Sequence, residues 1–157
     1  MKILIGADKG GYRLKEAIVT HLCEQGIECE DLGTTDLEHP RDFTSIATDV
    51  AGAISAGRAE RAILVCGTGM GMAITANKFK SVRAAVVESQ YAAMYSRKIN
   101  DANVLCLGGF IIGDTMGCEI ADTFLNTGFV EAFPQWRVDF LHGQEERLFE
   151  LEDRNFK

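Results

Sequence analysis

The chain has 157 residues, 46% hydrophobic and 25% charged, with 23 acidic against 16 basic side chains and a formal net charge of −7. That length is one ordinary domain, able to bury a sizeable core without disulfides or metal. The composition excludes a disordered or collagen-like chain, and the acidic balance argues against nucleic acid or an anionic membrane as partner, though not against one small anion in a local positive pocket.

Residues 2–6 (KILIG) read as a buried strand. Leu14, Ile18 and Leu22, spaced by four, form one helix face, and Gly26 ends it. Residues 27–32 are the second strand, and residues 42–57 carry Phe43, Ile46, Val50 and Ile54 at helical spacing. Residues 61–66 (RAILVC) are a short apolar strand ended by glycine, followed by a helix over 70–80. A strand over 83–87, a helix over 89–98, a fifth strand over 103–108 and a helix over 115–126 complete the pattern. Pro134 then interrupts it, and a charged amphipathic helix over 135–153 ends the chain. Strands without polar alternation, separated by helices, predict an α/β fold: a five-stranded parallel sheet in a three-layer αβα sandwich. It forms a single domain over 1–157, with 134–157 as a helical extension that lies either on its own domain or on a second subunit.

The first residues, MKILIG, are too short an apolar run for a signal peptide, and no later stretch approaches a membrane span, so a cytoplasmic location is expected. Five cysteines (23, 29, 66, 106 and 118) lack any C-x-x-C spacing, which argues against a disulfide framework or a zinc site.

Ligands of open parallel sheets sit at the C-terminal strand ends. The loops there are 6–11, 33–42, 66–71 and 108–109. Residues 100–103 fall at the opposite edge, so any site they serve is shared with another subunit. In the third loop, Gly67, Gly69 and Gly71 alternate ahead of a helix N-terminus. That pattern either turns backbone N–H groups toward an oxyanion or merely packs a tight turn. Met72 stands where a dinucleotide fingerprint needs glycine, and no G-K-[ST] follows. Cys66 lies at the mouth of this loop. A thiolate beside an oxyanion cradle can abstract a carbon-bound proton; the alternative is a small residue in a crowded strand end. Asp8 can accept from sugar hydroxyls and Lys9 can meet a phosphate, or the pair is a helix cap beside a solvated lysine.

Several motifs together carry a family resemblance: IGADKGG at 5–11, LKE at 14–16, DLGT at 31–34 and ILVCGTGMG at 63–71, then ANK at 76–78, VRAA at 82–85, SRxxNDANVL at 96–105 and QWRV at 135–138. The chain resembles the sugar-phosphate isomerases grouped as ribose-5-phosphate isomerase B and the LacA and LacB subunits of galactose-6-phosphate isomerase. The resemblance implies a Rossmann-like fold, dimers or tetramers with shared active sites, and no metal or cofactor. It implies an aldose–ketose interconversion of a small phosphorylated sugar through a cis-enediolate. Cys66 would be the base, with Thr68 and the amides of Gly67, Gly69 and Gly71 steadying the enediolate. Asp8 and Asn100 would contact sugar oxygens, Asn100 from the neighbouring subunit, and Arg137 would bind the phosphate.

Three positions depart from the family pattern. Lys9 replaces a histidine, Ile99 stands where ring-opening members carry a histidine, and Phe133 stands where many have a second phosphate arginine. An isoleucine cannot act as acid or base. One reading is a substrate that needs no ring opening, a tetrose 4-phosphate, whose O4 is blocked. A second is a ribose or hexose phosphate, with His39 or Arg41 replacing the missing groups. A third is a LacB-like subunit of a hexose-6-phosphate isomerase, working in a hetero-oligomer with a paralogous chain. A non-catalytic nucleotide-binding module is the reading outside enzymes.

Overall fold

In the computed structural model, which describes residues 2–156, strands and helices alternate as expected. The strands are β1 (Ile3–Ala7), β2 (Cys29–Asp31), β3 (Arg61–Cys66), β4 (Ala84–Val86) and β5 (Val104–Gly108). They form one parallel sheet in the order β2-β1-β3-β5-β4. The helices are α1 (Tyr12–Glu24), α2 (Phe43–Ser55), α3 (Met70–Ala76), α4 (Gln90–Lys98), α5 (Asp114–Asn126) and α6 (Gln135–Asn155). Among the described residues, no helix is long and apolar enough to cross a membrane.

Successive strand side chains point to opposite faces, which splits the core in two. Ile3, Ile5, Ile63, Val65, Leu105 and Leu107 pack with Leu14, Ile18, Ala93 and Phe124 of α1, α4 and α5. Leu4, Leu64, Cys66, Val104 and Cys106 pack with Ile46, Val50 and Met72 of α2 and α3. The strands are buried on both faces, which is why they read as continuous apolar runs.

The order reverses between β1 and β3: the chain first steps outward to β2, then crosses back past β1. Helices α1 and α3 depart to opposite faces. The loops after β1 and β3 therefore lie side by side at the switch point on the C-terminal edge of the sheet, where open α/β sheets bind their ligands. Two glycines allow the loops to approach the sheet this closely. A Cβ at Gly11 would lie 2.4 Å from the Val65 carbonyl oxygen, and one at Gly33 would lie 2.3 Å from the Ala7 nitrogen. Lys15, fully buried on α1, pairs with Asp31 and donates to the Thr34 carbonyl at 2.7 Å, fixing the loop after β2.

Element bounds differ from the sequence reading in several places, α2 and β4 each being two or three residues shorter than read. β2 is shorter than 27–32, because its ladder to β1 covers only Cys29, Glu30 and Asp31. α3 ends at Ala76 rather than 80. There Asn77 brackets β4, its Nδ2 donating to the Ala84 carbonyl at 2.9 Å and its Oδ1 accepting from the Ala84 N–H at 2.8 Å. Ser81 then turns the chain with φ 64°. α6 runs two residues further than expected, to Asn155, and buries only Leu141 among its described residues. Trp136, Phe140, Leu148 and Leu151 on α6 remain exposed.

Candidate active site

Cys66 ends β3 with its side chain nearly buried, 5% exposed. The loop behind it folds back on the sulfur. Gly69 adopts φ 78°, caps α3, and donates its N–H to Cys66 Sγ at 3.1 Å. A backbone donor aimed at sulfur from the start of a helix stabilises negative charge there. Substitution at Gly69 would strain the backbone and crowd the Leu107 carbonyl carbon at 3.0 Å. The loop is also pinned to β5: the Gly109 N–H donates to the Cys66 carbonyl at 2.7 Å, and the Phe110 N–H to the Gly67 carbonyl at 3.0 Å. Thr68 is exposed, and its Oγ1 accepts from the Met70 N–H at 3.4 Å.

The loop after β1 lies alongside. The Asp8 N–H donates to the Val65 carbonyl at 3.2 Å, and Asp8 Oδ1 accepts from the Gly11 N–H at 3.1 Å. One carboxylate oxygen thus closes the turn, and Lys9 projects into solvent. The site is therefore assembled from two loops that lie side by side at the sheet's switch point.

At three other cysteines, burial acts against ionisation. Complete burial, reinforced by Cys66 nearby, pushes the Cys106 thiol up out of the physiological range. Burial likewise raises Cys29 and Cys118. Desolvation disfavours the thiolate at all three, which keeps them protonated and poorly nucleophilic.

Asp8, Lys9, Cys66, Gly67, Thr68, Gly69 and Gly71 thus share the C-terminal edge. Asn100 does not: it precedes β5, is exposed, and lies at the amino edge. Arg137, on α6, holds its guanidinium 4.0 Å from the Phe133 ring centroid, and Lys98 Nζ lies 4.7 Å from the same ring. Among the described residues, no hydrogen bond or salt bridge joins Asn100 or Arg137 to the Cys66 loop. Ile99 and Asn100 instead line a cleft of about 400 Å³ with Phe140, Leu141 and Leu148 of α6. His39 and Arg41 are held by local partners. His39 Nδ1 meets Asp36 Oδ2 at 2.7 Å, and Arg41 donates to Asp49 Oδ2 at 2.5 Å and to the Leu32 carbonyl at 2.6 Å.

Two aromatic rings at the site were not anticipated. A Cβ on Gly67 would meet the Phe110 ring at 2.6 Å, and one on Gly71 would meet the Phe43 ring at 2.8 Å. The rings lie on the glycine faces and flank the loop. Phe43, read from its spacing as part of a buried helix face, is 40% exposed. For Phe110, the available signal was an aromatic residue immediately after a strand-end Gly-Gly pair, where a solvated polar residue is the ordinary choice.

Comparison with known proteins matches this arrangement to one family. A sequence model described as Ribose/Galactose Isomerase matches residues 3–141. The chain is 50% identical over 157 residues to a 4-deoxy-4-sulfo-D-erythrose isomerase of Clostridium sp. (strain MSTE9), covering 100% of this chain and 99% of the relative. It is 36% identical over 129 residues to a D-erythrulose-4-phosphate isomerase of Pectobacterium atrosepticum, covering 82% and 85%. The solved structure of Clostridium thermocellum ribose-5-phosphate isomerase B superposes with a TM-score of 0.88 at 38% identity, covering 98% of this chain and 99% of that one. The resemblance carried by the motifs is borne out: the chain belongs to the ribose/galactose isomerase family and is an aldose–ketose isomerase.

Proposed function

We propose that the chain interconverts a four-carbon aldose bearing a fixed anion on C4 with the corresponding ketose, using Cys66 as the base. The carrying observation is the Gly69 N–H on Cys66 Sγ at 3.1 Å, at the mouth of a glycine loop that leads into the N-terminus of α3. The Cys66 thiolate takes the proton from C2 of the aldose. Electrons of that bond form the C1–C2 double bond, and the carbonyl oxygen on C1 becomes the enediolate oxyanion, steadied by the loop amides and Thr68. The same thiol then returns the proton to C1, while the hydroxyl proton passes from O2 to O1, so that O1 becomes a hydroxyl and O2 the ketose carbonyl. Asp8 accepts from a sugar hydroxyl through its free carboxylate oxygen.

A second copy of the chain supplies Asn100 and Arg137. Their separation from Cys66 within one chain supports this, as does the exposed apolar surface of α6 beside the cleft at Ile99 and Asn100. Contiguous apolar surface of this kind marks an association face.

Ile99 and Phe133 support the four-carbon assignment. A sugar with sulfonate or phosphate at C4 has no free O4 with which to close a furanose, so an isoleucine in place of a ring-opening histidine costs nothing. One guanidinium, Arg137, stacked on Phe133, suits a sulfonate with a single charge better than a phosphate monoester carrying about −1.5 to −2. The 50% identity to a sulfo-erythrose isomerase supports the same choice. Assayed with 4-deoxy-4-sulfo-D-erythrose, erythrose 4-phosphate and ribose 5-phosphate, the purified chain is expected to give its highest kcat/KM on the sulfonate and its lowest on the pentose. Faster turnover of ribose 5-phosphate overturns the four-carbon reading.

Arg137 contacts the end of the substrate remote from the reacting carbons. Arg137→Ala should therefore raise KM by about 10- to 100-fold, with a smaller loss in kcat, because remote contacts supply mainly binding energy. Steady-state kinetics decide this, and an unchanged KM would move the anion contact to Lys9.

A further inference from the structure

The turn that carries Asn100 is held more tightly than an ordinary exposed loop requires. Asp101, the next residue, has φ 45°, a left-handed conformation uncommon outside glycine. Every polar group of Asp101 is engaged. Its Oδ2 accepts from Arg83 Nη2 at 2.5 Å, its Oδ1 pairs with Arg97 Nη1 at 2.8 Å, its carbonyl accepts from Arg83 Nε at 2.9 Å, and its N–H donates to the Arg97 carbonyl at 3.1 Å. Arg97 is only 4% exposed and also donates to the carbonyls of Ala102 at 2.5 Å and Thr127 at 3.3 Å. Asn103 locks the far side, its Oδ1 accepting from the Arg83 N–H at 2.8 Å and its Nδ2 donating to the Ser81 carbonyl at 2.8 Å.

Strain collects around this surface. Val130 and Ala132, with φ 52° and 56°, lie in the segment that leads to Phe133 and Arg137, and the Val130 N–H donates to the Lys98 carbonyl at 3.0 Å. Left-handed non-glycine residues persist where surrounding bonds over-determine them, and such positions gather at functional sites. Inside this rigid frame the Asn100 side chain is exposed and, among the described residues, makes no hydrogen bond. A fixed backbone presenting an uncommitted amide is what a group acting on another molecule requires.

We propose that Arg83, Arg97 and Asp101 form a positioning unit that aims the Asn100 amide out of its own subunit and into the site of a second copy. The proposal rests on the shared-site reading above. Asp101 is the hinge of the unit: it fixes the direction of the peptide that carries Asn100, and the two arginines fix Asp101 against α4 and β4.

A double-mutant cycle on kcat tests it, using Asn100→Ala, Asp101→Gly and the pair together. Glycine accepts the positive φ, so Asp101→Gly removes the carboxylate without adding backbone strain. Misaim of a contact group by an ångström costs ~10²-fold in rate, and this is the loss expected for Asp101→Gly. If Asp101 acts through Asn100, the double variant is no slower than Asn100→Ala alone. Arg83→Gln, at the half-buried end of the unit, gives the same cycle should Asp101→Gly lose its fold by circular dichroism. Losses that multiply overturn the proposal, as does wild-type kcat in both Asp101→Gly and Arg83→Gln. Full activity in Asn100→Ala is a different result, since it removes the shared-site reading and the proposal with it.

Discussion

Cys66→Ala is expected to lose at least about 10²- to 10⁴-fold in kcat, the range that one positioned base supplies. The fold should survive, because the side chain is small and the bonds that shape its loop are backbone bonds, from Gly109 N–H to the Cys66 carbonyl and from Phe110 N–H to the Gly67 carbonyl. Circular dichroism and thermal unfolding near wild type would separate lost chemistry from lost structure. Near-normal turnover would remove Cys66 from the mechanism. The same variant measures the sharing of sites. In a two-fold dimer, an inactive Cys66→Ala chain paired with an inactive Asn100→Ala chain leaves one site with both residues intact. Random mixing makes half the dimers hybrid, so about one quarter of wild-type activity should return. No recovery after mixing through reversible dissociation would place both groups in one chain's own site.

Gly11→Ala is expected to produce the largest loss of stability among single-methyl additions at the site. The new Cβ would lie 2.4 Å from the Val65 carbonyl oxygen, 2.5 Å from its carbonyl carbon and 2.8 Å from its Cβ. No side chain can rotate away to relieve this, because the contacts are to the central strand. Overpacking costs about 1–3 kcal/mol where side chains can adjust, and more where they cannot. At about 3 kcal/mol, Tm should fall by roughly 6–12 °C for a domain of this size. Gly26→Ala is the control. Its φ is 75° with nothing within 4 Å, so only backbone strain of about 1 kcal/mol applies. Equal Tm shifts for the two variants would show that close approach to β3 is not what demands glycine at 11. The clash pushes the Asp8–Gly11 turn away from Val65 and moves Asp8 with it, so the remaining folded fraction of Gly11→Ala should bind substrate less well.

Much of the fold was legible because a parallel strand buried on both faces has little choice of residue. RAILVC and NVLCLG could only be interior strands, and their ends located the ligand edge. Strand direction alone also put 100–103 at the opposite edge, where the structure has them. Strand order was not legible, since crossovers rather than local sequence set it. The end of α3 was missed because it depends on Asn77 bonding across to Ala84, a contact with no periodic signature. The rings of Phe43 and Phe110 escaped for a similar reason. Their place is defined by which glycines they cover, and that is a property of three separated loops. Cys66 was distinguishable from Cys106 only by its following glycines; both side chains face α2 and α3, and what sets Cys66 apart in the structure is the Gly69 N–H on its sulfur.

The placement of Cys66 and Asn100 on opposite edges of one sheet has a consequence for how such a protein can diverge. After a duplication, one copy can lose the thiol end and the other the amide end, and neither loss is silent alone. In the two-copy arrangement proposed above, however, the two chains together still compose one working half of the assembly. A division of labour between paralogous subunits is therefore open to this architecture from the start, without any new contact having to evolve.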